Sequence, residues 1–252
     1  MAAPTLSGSA IAPGTSIALP AHAVGDLIII FAFLSGSNST PTVPSAGGTV
    51  PTWNQGIGLN PTLVVNTCNA RTVWTIATAT NHTSGSFSNS QGLIAAVISA
   101  GTFNTTSPFG NTSPDGYSPP YYNGNGTTGV SATQTLIPFY QPHQQNDGQN
   151  LTLGFTAHRN GSWGSAPAGW TRQQTAVFPF AGCLNTKDST GYYTSGYVPQ
   201  SLTGASTGYC SIWMDVCSAS GTTKSPSGPT LAMTMGAPLI PSVNTTNFFF
   251  AG

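Results

Sequence analysis

Acid–base or nucleophilic chemistry needs titratable groups held at fixed spacing. This chain supplies few of them: five Asp, no Glu, four His and four Cys among 252 residues. Asp26 and Asp147 stand in turns ahead of two similar strand-like runs, and backbone capping within a turn accounts for both. Asp115 in "SPDGY" and Asp188 in "TKDSTG" carry β-turn signatures. Asp215 stands apart because it interrupts "SIWMDVC". Strand alternation there turns Ile212, Met214 and Val216 one way and Trp213, Asp215 and Cys217 the other, so Asp215 is expected to be hydrogen-bonded or solvent-facing. His143 and His158 flank Asp147 and could be drawn into a metal or nucleophile site. No GxSxG or comparable signature supports a Ser–His–Asp or Cys–His arrangement, so no catalytic residue is assigned.

Cys68, Cys183, Cys210 and Cys217 form no CxxC pair and have no companion His at zinc-finger spacing, which argues against zinc. They leave disulfides and buried thiols both open as readings. The glycines fall in turns rather than between a strand and a helix, so no phosphate-cradling loop is present. The expectation is no metal and no cofactor.

Tyrosine placement is more informative. Tyr117, Tyr121 and Tyr122 cluster in one long polar stretch and Tyr192, Tyr193 and Tyr197 in another, beside Ser, Gly and Asn. That is the composition of adaptable recognition loops, in which a stiff amphipathic ring supplies contact area at low entropic cost. These six residues are the candidate partner or receptor contacts, a host-surface glycan included. Pinning of the loops onto the fold, or contact between subunits, is the other reading, and contact between subunits is preferred to recognition of an outside ligand.

The elements that must position these residues follow from composition and pattern. Charged side chains make up 4% of the chain, against about 25% in an ordinary soluble protein, which excludes a basic nucleic-acid footprint and attraction to an anionic membrane surface. The apolar run from Leu27 to Leu34 is closed by Asp26 and by Ser35-Gly36-Ser37-Asn38, far short of the roughly 20 residues a spanning helix needs. The opening residues lack the positive start of a secretory signal, so none is expected. Short apolar runs, five Trp and few good helix formers predict an all-β protein with long turn-rich loops.

A repeat is visible. "GDLIIIFAFLSGSNSTPTVPSAGGTVPTW" (25–53) is echoed by "DGQNLTLGFTAHRNGSWGSAPAGW" (147–170), which matches Trp53 with Trp170. "ARTVWTIATAT" (70–80) is read as the partner of "GYCSIWMDVCSAS" (208–220), matching Trp74 with Trp213. Weaker strands are expected at 84–90 and 229–236, closing strands at 92–100 and 245–252, and entry strands at 15–20 and 133–140. The pattern predicts two tandem β-sandwich domains of jelly-roll or Ig-like type. They cover 1–103 and 131–252, with a linker or exposed loop at 104–130 and a loop insertion at 177–208.

The second-copy strand alternates, Leu151, Leu153 and Phe155 against Thr152, Gly154 and Thr156, whereas Leu27–Leu34 is apolar on both faces. A strand apolar on both faces must be covered on both. The extra cover is expected from the companion domain, a neighbouring subunit or an apolar loop. Phe248, Phe249 and Phe250 pose the same question at the C-terminus.

The combination "GDLIIIFAF", "PTVPS…PTW", "ARTVWTIATAT", "GLIAAVISAG" and "SPFGNTS", then "GQNLTLGFTAHRNGSWGSAPAGWT", resembles a loosely defined set of β-sandwich proteins encoded in tailed-phage genomes. The resemblance implies the architecture and association with a virion, and it transfers no catalytic residues. On that basis the chain is expected to decorate or cement a capsid, bound to the major capsid protein or other virion subunits as a homo-oligomer, a trimer by preference. It would be made in a host cytoplasm without a signal peptide and sit on the virion surface. The alternatives are a tail-associated or fibre protein using the Tyr-rich loops and, more remotely, a carbohydrate-active enzyme.

Overall fold

The computed structural model describes residues 3–35, 37, 39–59, 68–109, 121–125, 133–136, 139–140, 150–158, 161–176, 181–189, 196–197, 200–203 and 209–219. Among them there is no helix, and the strand pairings are antiparallel. The all-β expectation therefore holds.

In the first half, β1 (Leu6–Pro13), β2 (Leu27–Ser35), β3 (Asn54–Leu59), β4 (Cys68–Ile76) and β5 (Gly92–Ile98) form a sheet in the order β1-β5-β2-β4-β3. The second half contributes β6 (Tyr121–Asn125), β7 (Thr133–Leu136), β8 (Phe139–Tyr140), β9 (Asn150–His158) and β10 (Ser162–Trp163). It continues with β11 (Thr171–Ala176), β12 (Ala181–Ser189), β13 (Gly196–Tyr197), β14 (Gln200–Thr203) and β15 (Tyr209–Val216). Five of these form the sheet β11-β12-β9-β15-β6, and the others form a three-stranded sheet β10-β14-β7 and a pair β13-β8.

The two five-stranded sheets have one topology. When β6, β9, β11, β12 and β15 are counted as first to fifth, the second sheet runs third-fourth-second-fifth-first, which is the first sheet read from its other edge. Trp53 and Trp170 each stand immediately before the third strand, as the repeat predicts. The later matches need correction. Phe31 lies opposite Thr72 of β4 and Ile94 of β5, and Phe155 lies opposite Leu184 of β12 and Ile212 of β15. Strand β4 is therefore equivalent to β12, and β5 to β15, so Trp74 and Trp213 are not counterparts. Both neighbours of a central strand bury the same alternation, and sequence likeness cannot tell one flank from the other.

Other local expectations shift too. Residues 15–20 form no strand; Ile17 and Leu19 instead pack as loop residues, and the first strand is β1. Residues 84–90 contribute one isolated bridge, Thr42 with Ser88. The 104–130 stretch supplies edge strand β6, and 177–208 supplies β12, a strand hydrogen-bonded on both sides. Residues 133–140 enter the small sheets as β7 and β8. The strands expected at 229–236 and 245–252, with Phe248, Phe249 and Phe250, lie outside the described residues.

The copies meet face to face. Strand β1 lies against β11, β5 against β12, β2 against β9 and β4 against β15. The β5–β12 pair recurs with its partners exchanged as β15–β4, and β2 faces its own equivalent β9, as in an isologous two-fold interface, here within one chain. Leu27, Ile29, Phe31 and Phe33 of β2 share one buried cluster with Leu151, Leu153, Phe155 and Ala157 of β9, joined by Ile94, Ile98, Leu184, Ile212 and Val216. After β5 the chain stays on this core. Phe103 is buried in it, Phe109 meets Trp74 edge-on at 5.5 Å, and Asn104 N donates to Cys217 O at 2.9 Å.

The outward face of β2, Ile28, Ile30 and Ala32, belongs to a second cluster with Val73, Leu93, Ala95 and Val97. Its cover is the loops of the same copy: Ile17, Leu19, Val43, Val50, Trp53 and Phe87. Both apolar faces of β2 are thus covered within the chain, one by the companion copy and one by loops. The neighbouring subunit is not required for that purpose.

Candidate functional site

The equivalent outward face of the second sheet is polar. Alternation along β9 turns Asn150, Thr152, Thr156 and His158 away from the shared core, and their cross-strand neighbours include Cys183 and Asn185 on β12 and Asp215 on β15. All of these are buried, His158, Cys183 and Asn185 with no exposed surface. A buried polar layer is tolerated when its groups are hydrogen-bonded. Here Thr152 Oγ1 donates to Asp215 Oδ1 at 2.5 Å, which ties β9 to β15. Arg172 Nε donates to Asn185 Oδ1 at 2.6 Å, tying β11 to β12, and on the opposite, core-side face Gln173 Nε2 donates to Thr186 Oγ1 at 2.8 Å to join the same two strands. Trp163 packs edge-on against His158, with ring centroids 6.5 Å apart, and its Nε1 donates to Ala181 O at 3.0 Å, closing one end of the layer.

Cys183 is the potential nucleophile of this layer. Burial pushes its thiol up to about 12, against the lowering influence of the Arg172 guanidinium and of hydrogen bonds with Thr156 and Asn185. The thiolate is the reactive form, so this environment suppresses attack at neutral pH. Asn185 Nδ2 lies 3.8 Å from Cys183 Sγ. Cys217 is likewise a buried thiol.

The sequence-assigned residues distribute as follows. Asp26 caps as expected: Oδ2 accepts from Ala23 N and Oδ1 from Ala100 N, each at 2.8 Å, which joins the start of β2 to the end of β5. Asp215 is buried and hydrogen-bonded, and Ile212, Met214 and Val216 face the shared core as alternation requires. Asp188 sits on β12 rather than in a turn, because the "LNTKDS" segment is drawn into the sheet by β9. Asp115, Asp147 and His143 lie outside the described residues, and so do Tyr117, Tyr192 and Tyr193. Tyr121 and Tyr122 are on β6, opposite Trp213 and Ile212, and Tyr197 is on β13, opposite Phe139. Strand β6 approaches β8, the partner of β13, so backbone pairing gathers Tyr121, Tyr122 and Tyr197 with Phe139 and Tyr140 at one edge of the second sheet. Among the described residues, no three His, Cys, Asp or Glu side chains come together as a metal-binding group.

Sequence reasoning missed Arg172, Asn185 and Cys183 as one cluster. The strand that carries two of them reads as a polar loop, and only its pairing with β9 reveals it. It also passed over His22 and His82, far apart in the chain and without a motif. No protein-family model matches the chain, and no curated protein or solved structure is significantly similar to it.

Proposed function

We propose that this chain is a structural protein of a phage virion, decorating or cementing the capsid surface through apolar and neutral polar contacts. The observation that carries the reading is where the few charges go. Asp26 and Asp215 are buried and hydrogen-bonded, Arg71 is held by Gln55 Oε1 at 2.8 Å, Arg172 by Asn185, and Lys187 Nζ stands 5.9 Å from the Trp170 ring centroid. Asp188 is exposed, but with the other five charged side chains among the described residues engaged within the fold, binding by shape and neutral groups is favoured, and such binding is insensitive to ionic strength. The motif resemblance to phage β-sandwich proteins points the same way.

In this reading the two copies act as one fused sandwich-like body, because they share a core, rather than as two separate jelly-roll or Ig-like domains. The chain associates with the major capsid protein or other virion subunits, as a trimer by preference, and uses no cofactor or catalytic step. The edges of the fused body favour particle assembly over fibre formation. Register shifts interrupt β1 at Leu6/Gly8, β3 at Gln55/Gly58 and β11 at Arg172/Gln174. Bulges of this kind discourage edge-to-edge pairing.

A second reading, a tail-associated protein contacting a host-surface glycan, is favoured by the aromatic residues gathered on β6, β8 and β13. Cryo-electron microscopy of purified particles separates the two: many copies on the shell support cementing, a few at the tail support host contact, and absence from the particle refutes both. Particle binding that persists from about 0.05 to about 1 M NaCl is the further expectation for neutral contacts. Replacing Tyr121, Tyr122 and Tyr197 with Ala should lower adsorption to host cells under the tail reading, and particle stability under the cement reading.

A further inference from the structure

Asn69 and Arg71 stand on the outward face of the first sheet, one turn of the pleat apart on β4, about 7 Å along the strand. Their neighbours on that face are apolar: Leu34 lies opposite Asn69, Ala32 opposite Arg71, and Val73 follows on β4. Asn69 is fully buried, and its Nδ2 donates to Ser37 O. A carbonyl can only accept, so the orientation of the amide is fixed and Oδ1 takes the other side, where it meets no donor. Arg71 gives one hydrogen bond, from Nη1 to Gln55 Oε1 at 2.8 Å, and its buried Nε–H has no acceptor. Gln55 is neutral, and among the described residues no carboxylate pairs with the guanidinium. Asp26 caps amides at the other end of β2, and Asp188 and Asp215 belong to β12 and β15.

The fold does not ask for these groups. Since Phe31 and Phe155 are equivalent, so are Ala32 and Thr156, and Leu34 and His158; Arg71 therefore corresponds to Cys183 and Asn69 to Ala181. In the second copy those two positions form a small apolar cluster with Trp163. In the first copy a cation and an acceptor replace them, each desolvated at an atom that lacks a partner, which is unfavourable for stability alone. The edge strand beside them leaves room: β3 sets Gly58 opposite Arg71, after a bulge between Gln55 and Gly58. Glycine at a bulge marks a point where a ligand or another backbone approaches closely.

We propose that this corner binds the carboxylate of an acidic sugar, a uronic acid within a polysaccharide. The Arg71 guanidinium receives the carboxylate oxygens, and a ring hydroxyl donates to Asn69 Oδ1. A hydroxyl close to a carboxylate supplies both of the groups that the two side chains lack. A polypeptide carboxylate is less suited, because an extended peptide would join the sheet along β3, where the bulge interrupts the backbone row. The origin of the sugar on a host surface rests on the second reading above; the site itself does not.

Nitrogen NMR of the full chain titrated with trigalacturonate tests this. The Asn69 side-chain amide and the Arg71 Nε–H should shift saturably, and neutral trigalactose should bind at least about tenfold more weakly. Arg71→Lys keeps the charge but loses the planar fork, and should weaken binding about tenfold. Arg71→Met should abolish binding while its urea midpoint stays at or above that of the parent chain, because the fold makes no use of the cation. No saturable shift at Asn69 and Arg71, equal binding of the neutral sugar, tighter binding of inorganic sulfate or of a triaspartate peptide, unchanged binding in both variants, or a lowered midpoint in Arg71→Met would each overturn the site. Uronate binding by a chain found only on the shell supports the site and refutes the tail reading, so the two fail separately.

Discussion

Phe31 of β2 and Phe155 of β9 occupy equivalent positions in the two copies, and they stack on each other, centroids 5.8 Å apart and planes 8° from parallel. Each lies on the central strand of its five-stranded sheet, where the facing strands exchange partners. The internal two-fold relation therefore passes near this pair.

Truncating either ring should be costly. Phe31→Ala and Phe155→Ala are each expected to destabilise by about 3–5 kcal/mol, from lost burial plus the cavity left behind. A double-mutant cycle should show coupling of about 0.5–1.5 kcal/mol for the stack. Because the core is shared, denaturant unfolding should be one transition by probes in both halves. Two resolved transitions would contradict a shared core.

Gly85 tests the loop layer. It has φ +69°, and a Cβ there would lie 2.8 Å from Pro44 Cβ, 2.9 Å from Pro44 Cγ and 3.0 Å from Val50 Cγ1. Gly14, at φ +99°, has open space where a Cβ would go. Gly14→Ala should cost about 1 kcal/mol from backbone strain alone, and Gly85→Ala distinctly more, because strain and overlap add. Equal costs would mean that Pro44 and Val50 do not pack on Gly85.

Asp215 and Thr152 form a buried cross-strand bond, and breaking it from either side is expected to cost about 1–3 kcal/mol. Thr152→Val leaves the carboxylate short of a donor and should be the more harmful change; Asp215→Asn keeps an acceptor and should be the milder. If hydrolysis of a host polysaccharide were found and Asp215→Asn abolished it, Asp215 would be a catalytic residue instead.

Cys183 predicts an alkaline dependence. Its thiol is raised from 9.0 to about 12, so above pH 9 the unfolded chain loses a proton that the folded chain keeps. The contribution to stability is complete below 9 and declines as pH rises toward 12, at a limiting slope of about 1.4 kcal/mol per pH unit. Cys183→Ser should remove that component in paired urea titrations at several pH values. The thiol should also resist alkylation in the folded protein at neutral pH.

Much of the fold is legible in the residues. The doubly apolar "LIIIFAF", the alternation of Leu151, Leu153 and Phe155, and the Trp that ends each unit identify equivalent central strands and an all-β chain. Alternation also placed Asp215 opposite in sense to Ile212, Met214 and Val216. Strand β12 was not legible: "LNTKDS" has the composition of a turn, and β9 makes it a strand by offering it a complete row of backbone partners. The candidate polar layer was equally hidden, because Arg172, Cys183, Asn185 and Asp215 become neighbours only across strands.

By itself, then, the sequence determined what each short stretch could do: which runs bury two faces, which bury one, and that so few charges leave neutral contacts to dominate the surface. Only the tertiary structure decided which strands are equivalent, that the two copies close on each other, and that loops cover the outer face of β2. The physical reason is the locality of the signal. A two-residue period specifies that a face is buried and carries no information about what buries it, because apolar burial is non-directional. Pairing and stacking set the partner, through contacts between residues as distant as Phe31 and Phe155.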